Sequence, residues 1–280
     1  MWTSSKEFIR TALAEDIGHG DVTSSLIIGD ETARADIIAK EAFILAGMPF
    51  VAEVFELVDS GISVEILCDE GGRVKRGDII AHISGRAKSL LAGERVALNI
   101  LQHLSGIAAT AGAFVEKVKG LPVKIVDTRK TKPGMRIMEK YAVTMGGATN
   151  HRFGLYDGIL IKDNHIEIAG GIKKAIGHAR KAHHLLKIEV EVKDMDELMD
   201  ALEAGADVIM LDNMSVEEMK KAVKKIRLRD RKIVIEASGN VNLKNVRAIA
   251  ETGVDIVSVG AITHSARAVD ISMKINDMHQ

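Results

Sequence analysis

From residue 124 onward the chain repeats one pattern. A short unbroken run of Ile and Val meets a polar residue, and a longer stretch with apolar positions at helical spacing follows. The runs fall at 124–128, 158–162, 187–192, 208–212, 232–237 and 255–260. Unbroken β-branched runs predict strands covered on both faces, and helices between them make the sheet parallel. Two helices stand out, over 196–204 and 215–226, the second opened by a Ser215/Glu218 capping box. Six strands in this length suit a closed or nearly closed β/α barrel better than a doubly wound sheet. No G-x-G-x-x-G follows a strand, which weakens a dinucleotide-binding alternative.

The first hundred residues are less regular. Apolar spacing predicts a helix over 5–15, opened by a capping box of Ser4 and Glu7. The glycines of E-D-I-G-H-G-D-V-T-S-S-L end it, and His19 reads as loop structure because no second metal ligand stands at a usable spacing. Residues 34–45 alternate as a strand does and 50–58 have helical spacing. Residues 62–68 and 78–83 read as strands joined by the G-G-R-V-K-R-G turn. That piece resembles in shape the hammerhead half of biotinyl and lipoyl carrier domains, but it has no modifiable lysine at a hairpin tip. Helical spacing resumes over 88–103 with Leu91, Val96 and Leu98 inward, and Leu104-Ser105-Gly106 predicts a break before a second helix to Lys119. Arg95 stands in that apolar helix, a costly place for a cation that is neither paired nor aimed into a site. The expected organisation is an α/β fold. An N-terminal α/β, hammerhead-like domain over 1–105 precedes an incomplete β/α, TIM-like barrel of six or seven parallel strands over 106–270. A tail over 271–280 returns to the N-terminal domain.

Composition narrows the class. Apolar residues make up 46% of the 280, enough for a full core, but aromatics are only 3%, so that core is aliphatic. The single Cys68 excludes an internal disulfide framework and fits a reducing, cytoplasmic setting. The N-terminus lacks the apolar run of a signal peptide, and no stretch approaches the ~18 apolar residues of a spanning helix. A formal charge of −1 argues against nucleic acid as the main partner.

Charge is distributed unevenly. Between 124 and 165 eight Lys or Arg (Lys124, Arg129, Lys130, Lys132, Arg136, Lys140, Arg152, Lys162) face four acids (Asp127, Glu139, Asp157, Asp163). Several of these cations, with His151, sit at strand ends or in glycine-bounded loops, where packing gives no reason to cluster them. An anionic ligand is the partner such a cluster lacks, so this reads as an anion pocket.

Every predicted strand of the barrel also ends in polar chemistry: Thr128-Arg129-Lys130, Lys162, Glu191, Asp212, Ser238-Gly239-Asn240 and Val259-Gly260-Ala261. Barrel active sites lie at these carboxyl ends, and the loops after the last two strands commonly hold phosphate through backbone N–H groups. In K-I-E-V-E-V, Glu189 and Glu191 share one face. Glu191 and Asp212 suit either Mg²⁺ shared with a pyrophosphate, or a ribose, or simple salt bridges to Lys130 and Lys162.

Long ordered motifs carry a resemblance over almost the whole chain. E-D-I-G-H-G-D-V-T, E-R-V-A-L-N-I-L-Q-H-L-S-G-I-A, D-T-R-K-T-K-P-G, N-H-R-F-G-L-Y-D-G-I-L-I-K-D-N-H, I-E-V-E-V, I-M-L-D-N, E-A-S-G-N-V and V-G-A-I-T-H-S resemble the quinolinate phosphoribosyltransferase family. A related group encoded with molybdenum genes shares several motifs, but the intact T-R-K and N-H-R favour the phosphoribosyltransferase. The resemblance implies phosphoribosyl transfer from phosphoribosyl pyrophosphate to quinolinate with loss of CO₂, giving nicotinate mononucleotide for NAD biosynthesis. It implies that Arg95, Arg129, His151, Arg152 and Lys162 surround quinolinate, with Thr128 at the same strand end. It implies that Lys130, Glu191, Asp212, Ser238, Gly239, Asn240, Val259, Gly260, Ala261 and His264 hold phosphoribosyl pyrophosphate, with Mg²⁺ at Glu191 and Asp212 directly or through water. A homodimer with shared active sites, open to higher assembly, is implied too. At Ala237 and Asn240 many relatives have Ser and Gly. Two other readings stay open: a phosphate-binding barrel lyase or decarboxylase using Lys162, and a non-catalytic binding protein.

Overall fold

The Ile- and Val-rich runs after residue 123 form parallel strands, and the strands of the first hundred residues pair antiparallel. The computed structural model describes residues 5–279, so Ser4, and with it the expected Ser4/Glu7 capping box, lies outside them. The chain forms two compact units.

One unit takes the described residues through Gly112, with Thr131–Gly147 and the described residues from Thr263. Its elements begin with α1 (Ser5–Ile17), α2 (Val22–Ile27), β1 (Thr32–Ala39), β2 (Phe43–Ile44) and α3 (Met48–Val58). They continue with β3 (Ser63–Ile66), β4 (Arg73–Val74), β5 (Ile79–Arg86), α4 (Ala87–Lys117, through Gly112) and α5 (Arg136–Met145). Alternation places Ala33, Ala35, Ile37 and Ala39 of β1 in the core. The strand expected over 34–45 stops at Ala39, and Phe43–Ile44 is a separate short strand paired with β4. β4 therefore interrupts the expected hairpin, although β3 and β5 do pair antiparallel. Glu70 caps α3 from outside: its carboxylate accepts from Gly47 N at 2.9 Å and Met48 N at 2.7 Å, at the positive end of the helix.

The expected break at Leu104-Ser105-Gly106 is absent, and α4 is one helix of 31 residues. Its small residues serve packing. Ser105 Oγ bonds the N–H and C=O of Ala46 at 3.1 and 3.2 Å, and a Cβ on Gly106 would collide with the carbonyl of Arg267. By length and composition α4 could cross a membrane, contrary to the expectation that nothing in the chain approaches that length. However, 67% of its most apolar window is buried in the fold, as in a core helix.

The second unit, Ala113–Lys130 with Ala148–Ile262, carries the strands expected from the Ile/Val runs. They are β6 (Lys124–Val126), β7 (Ile159–Ile161), β8 (Ile188–Val192), β9 (Val208–Asp212), β10 (Val234–Ser238) and β11 (Ile256–Ser258). Their pairings are parallel, in the order β6-β11-β10-β9-β8-β7. Thr149 adds an isolated parallel bridge to Val126. Helices α6 (Asp163–Ala169), α7 (Ile172–Ala179), α8 (Met195–Ala204), α9 (Val216–Arg229), α10 (Val246–Ala250) and α11 (Ala261–His264) follow the strands, α11 running into the first unit. The Ser215/Glu218 box forms as expected, with Ser215 N donating to Glu218 Oε2 at 2.8 Å. This is an α/β fold with a six-stranded, incomplete β/α barrel. The last strand, β12 (Ile271–His279), belongs to the first unit, whose sheet order is β12-β1-β5-β3.

Candidate active site

Parallel strands bring all their carboxyl ends to one end of a sheet, and the register fixes which residues meet there. Ile161 pairs with Val190, so Lys162 comes level with Glu191, and Ser238 is directly paired with Asp212. Val126 pairs with Ser258, which places Asp127 and Thr128 beside Val259 and Gly260.

The loop after Thr149 is built on two acids. Asp127, fully buried, accepts from His151 N at 2.8 Å. Asp157 accepts from Phe153 N and Gly154 N at 2.7 and 2.9 Å, folding N-H-R-F-G-L-Y-D-G into a compact turn. Arg152 Nη1 donates to Gly158 O at 2.9 Å. Burial, and next the cationic Arg129 nearby, pull the Arg152 pKa below its ordinary value. Two forked cations set against each other in partly buried positions are arranged for an anion.

Beneath them, His151 Nε2 lies 3.3 Å from Glu189 Oε2 and 3.5 Å from Glu236 Oε2. Glu236 is 1% exposed, and the other oxygen of each glutamate is buried with no hydrogen bond among the described residues. Burial pushes the His151 pKa down, but the two carboxylates more than reverse this, to about 10. Arg152 N donates to His151 Nδ1 at 2.8 Å, so Nδ1 is an acceptor and Nε2 faces the two glutamates. Burial, the largest influence on Glu189, raises its pKa in the same sense. The three ligand atoms fall within 4.8 Å, as a metal site would require. A metal-bound imidazole normally donates its second N–H, and here that position accepts instead. The two glutamates fix the His151 ring beneath the loop.

Lys162 Nζ donates to Glu191 Oε1 at 2.5 Å, one of the salt bridges that the sequence left open. Burial raises the Glu191 pKa, Lys162 opposes this, and Asp212 adds to it. Lys130, at the end of the T-R-K run, is exposed and its N–H bonds Thr128 Oγ1 at 3.1 Å. Around the S-G-N loop, Gly239 (φ +93) and Asn240 (φ +51) are both left-handed, as is Asn213 (φ +54). A Cβ on Gly239 would collide with Asn213 Oδ1, so glycine is required there for close approach. Val259 is buried and Gly260 and Ala261 partly exposed, where α11 begins.

The second unit thus gathers Thr128, Arg129, Lys130, His151, Arg152, Lys162, Glu191, Asp212 and the two glycine loops. Arg95 and His264 belong to the first. Arg95 is on the exposed face of α4, its side chain 58% exposed and 3.6 Å from Glu94, while Val96, Ala97 and Leu98 carry the buried face. The expected cost of a cation inside an apolar helix is therefore not incurred. His264 Nδ1 and Ser265 Oγ are 2.6 Å apart. Sequence reasoning missed Asp127, Glu236 and Asn213 and gave Glu189 no role. The available signal was an acid within an apolar strand run, V-I-E-A-S as in I-E-V-E-V.

Residues 107–274 match the quinolinate phosphoribosyl transferase C-terminal domain, and residues 21–105 the N-terminal domain of the same name. A probable nicotinate-nucleotide pyrophosphorylase (carboxylating) of Bacillus subtilis (strain 168) is 44% identical, covering 96% of this chain and 93% of its own. One from Methanocaldococcus jannaschii is 42% identical, covering 96% of each chain. The crystal structure of nicotinate-nucleotide pyrophosphorylase from Ehrlichia chaffeensis superposes with a TM-score of 0.93 at 41% identity, covering 98% of this chain and 99% of that one.

Proposed function

The chain belongs to the quinolinate phosphoribosyltransferase family, and on that premise we propose how its own side chains carry out the family's reaction. It is a carboxylating nicotinate-nucleotide pyrophosphorylase of NAD biosynthesis, with quinolinate and phosphoribosyl pyrophosphate as substrates. Arg129 and Arg152, with His151, Lys162 and Thr128, take the pyridine dicarboxylate. Planar forks meet planar carboxylates in two bonds each, which a lysine does not do. The observation that carries this is the pair Arg129 and Arg152 at the strand ends, where burial and then the Arg129 charge lower the Arg152 pKa.

Lys130 and the backbone amides of Ser238, Gly239, Asn240, Val259, Gly260 and Ala261, with His264, hold phosphoribosyl pyrophosphate. Glu191 and Asp212 fit Mg²⁺, directly or through water: both are carboxylates on adjacent strands, and after burial and Lys162 the charge of Asp212 is what most affects Glu191. Bound there, Mg²⁺ would neutralise charge on the departing pyrophosphate. The same two acids stabilise positive charge at the ribose carbon as pyrophosphate leaves, and Lys130 offsets the leaving group. Once the pyridine nitrogen is ribosylated it is cationic and accepts the electron pair released with CO₂. The protein's part is positioning and electrostatics. Arg95 serves the barrel of a second subunit, in a homodimer with shared sites.

A lyase using Lys162 as an amine nucleophile is disfavoured, because that ammonium is pinned by Glu191. Incubation with quinolinate, phosphoribosyl pyrophosphate and Mg²⁺ should release CO₂ and pyrophosphate in equal amounts. Release of CO₂ from quinolinate alone would point to the lyase instead. Ligand binding without either product would point to a binding protein.

A further inference from the structure

Two asparagine amides connect the Asp212 carboxylate to the loop after β10. Asn213 Nδ2 donates to Asp212 Oδ2 at 2.9 Å, and Asn213 Oδ1 accepts from Asn240 Nδ2 at 3.0 Å. An ionised carboxylate can only accept, so the Asn213 atom facing it must be the nitrogen, and the oxygen is left for Asn240. Asp212 thus sets the direction of the whole chain of bonds.

The backbone follows the same path. Asn213 N donates to Ser238 O at 2.9 Å, and the Asn213 amide lies across Gly239, where no Cβ fits. Asn240 is held from its other side, its carbonyl accepting from Asn242 Nδ2 at 3.2 Å and Asn245 Nδ2 at 3.1 Å. At φ +51 a glycine would satisfy the backbone of position 240 more easily than asparagine does. What asparagine contributes there is a side-chain donor, and that donor is engaged with Asn213.

Resting on the site reading above, we infer that Asn240 is a positioning residue for phosphoribosyl pyrophosphate, acting through Asn213 to commit Asp212 Oδ2 to the protein and Oδ1 to the ligand. Asn240 then influences a carboxylate it does not touch. Its loss loosens the handling of the phosphoribosyl substrate and leaves the dicarboxylate pocket alone.

The test is a mutant cycle at two left-handed positions, where glycine preserves the backbone. Asn240→Gly should weaken binding of phosphoribosyl pyrophosphate with Mg²⁺, by calorimetry, roughly three- to tenfold, the size expected for one lost hydrogen bond. Quinolinate affinity should stay unchanged. In an Asn213→Gly background the same substitution should add nothing, because the intermediary is gone. No change in the first variant overturns the inference. So does an equal further loss in the Asn213→Gly background, which would mean that Asn240 meets the ligand directly. Equal weakening of quinolinate would also overturn it, by showing a general structural role. Asp212→Asn, measured alongside, separates the two levels: if it leaves phosphoribosyl pyrophosphate binding intact, the site reading itself fails.

Discussion

Lys162 Nζ and Glu191 Oε1 lie 2.5 Å apart across neighbouring strands, so one cation and one acid of the candidate site hold each other. A dicarboxylate must compete with Glu191 for that ammonium. Glu191→Gln should therefore tighten quinolinate binding to the enzyme, by about threefold or more on the scale of partly exposed ion pairs, while turnover falls. Calorimetry and steady-state rates on one variant check both halves. Unchanged quinolinate affinity would remove Lys162 from the pocket.

Arg129→Lys preserves charge and discards the fork. We expect kcat/KM for quinolinate to fall about tenfold or more, equivalent to about 1.4 kcal/mol or more of lost stabilisation. A silent substitution would make Arg129 structural and the pocket assignment wrong.

The proposed sharing of sites between subunits is open to complementation. Arg95→Ala and Lys130→Ala should each be nearly inactive as homodimers. After dissociation and remixing in equal amounts, a heterodimer places both lesions in one site and none in the other. Random exchange then restores roughly a quarter of wild-type sites. Activity that stays at the floor after verified exchange would show that Arg95 serves its own barrel.

Glu189 predicts a pH effect on stability. Burial raises its pKa in the fold, opposed by the His151 hydrogen bond, above an ordinary value of 4.5. The folded state therefore binds this proton more tightly than the unfolded chain does. The resulting stabilisation is fully present below the ordinary value and is lost as pH rises through the raised one. Glu189→Gln is neutral at every pH, so its melting temperature should gain on that of the parent as pH increases from about 4.5. Parallel curves would show that Glu189 is not proton-linked.

How far these features could be read in advance depended on whether their causes were local. The six barrel strands were legible because each is a short apolar run rich in Ile and Val, bounded by helical stretches. The α9 start was legible because Ser215 and Glu218 are three residues apart. Helix α4 was misread at Ser105-Gly106, since small residues look like a break unless one knows that Ala46 and Arg267 press against them. Among the candidate residues, Arg129, Arg152 and Lys162 were visible as clustered charge. Glu236 did not, because its partner His151 is 85 residues away along the chain and nothing local marks the pairing. Asn213 was hidden for a similar reason: its partners Gly239 and Asn240 stand in the loop after the next strand.

The pairing of β12 with β1 bears on how the chain is made. β1 leaves the ribosome before the barrel strands and β12 after them, yet Thr32 through Ala39 pair antiparallel with His279 through Ile271, with one shift of register between Arg34 and Ala35. The unit they share is assembled from three separated stretches of sequence. During synthesis it waits, with one side of β1 unpaired, while the whole barrel segment emerges and can fold. An exposed strand edge of that kind invites pairing with other chains. Slow or interrupted synthesis beyond residue 262 should then yield a folded barrel tethered to an incomplete, association-prone partner, and the release of β12 should be what ends that vulnerability.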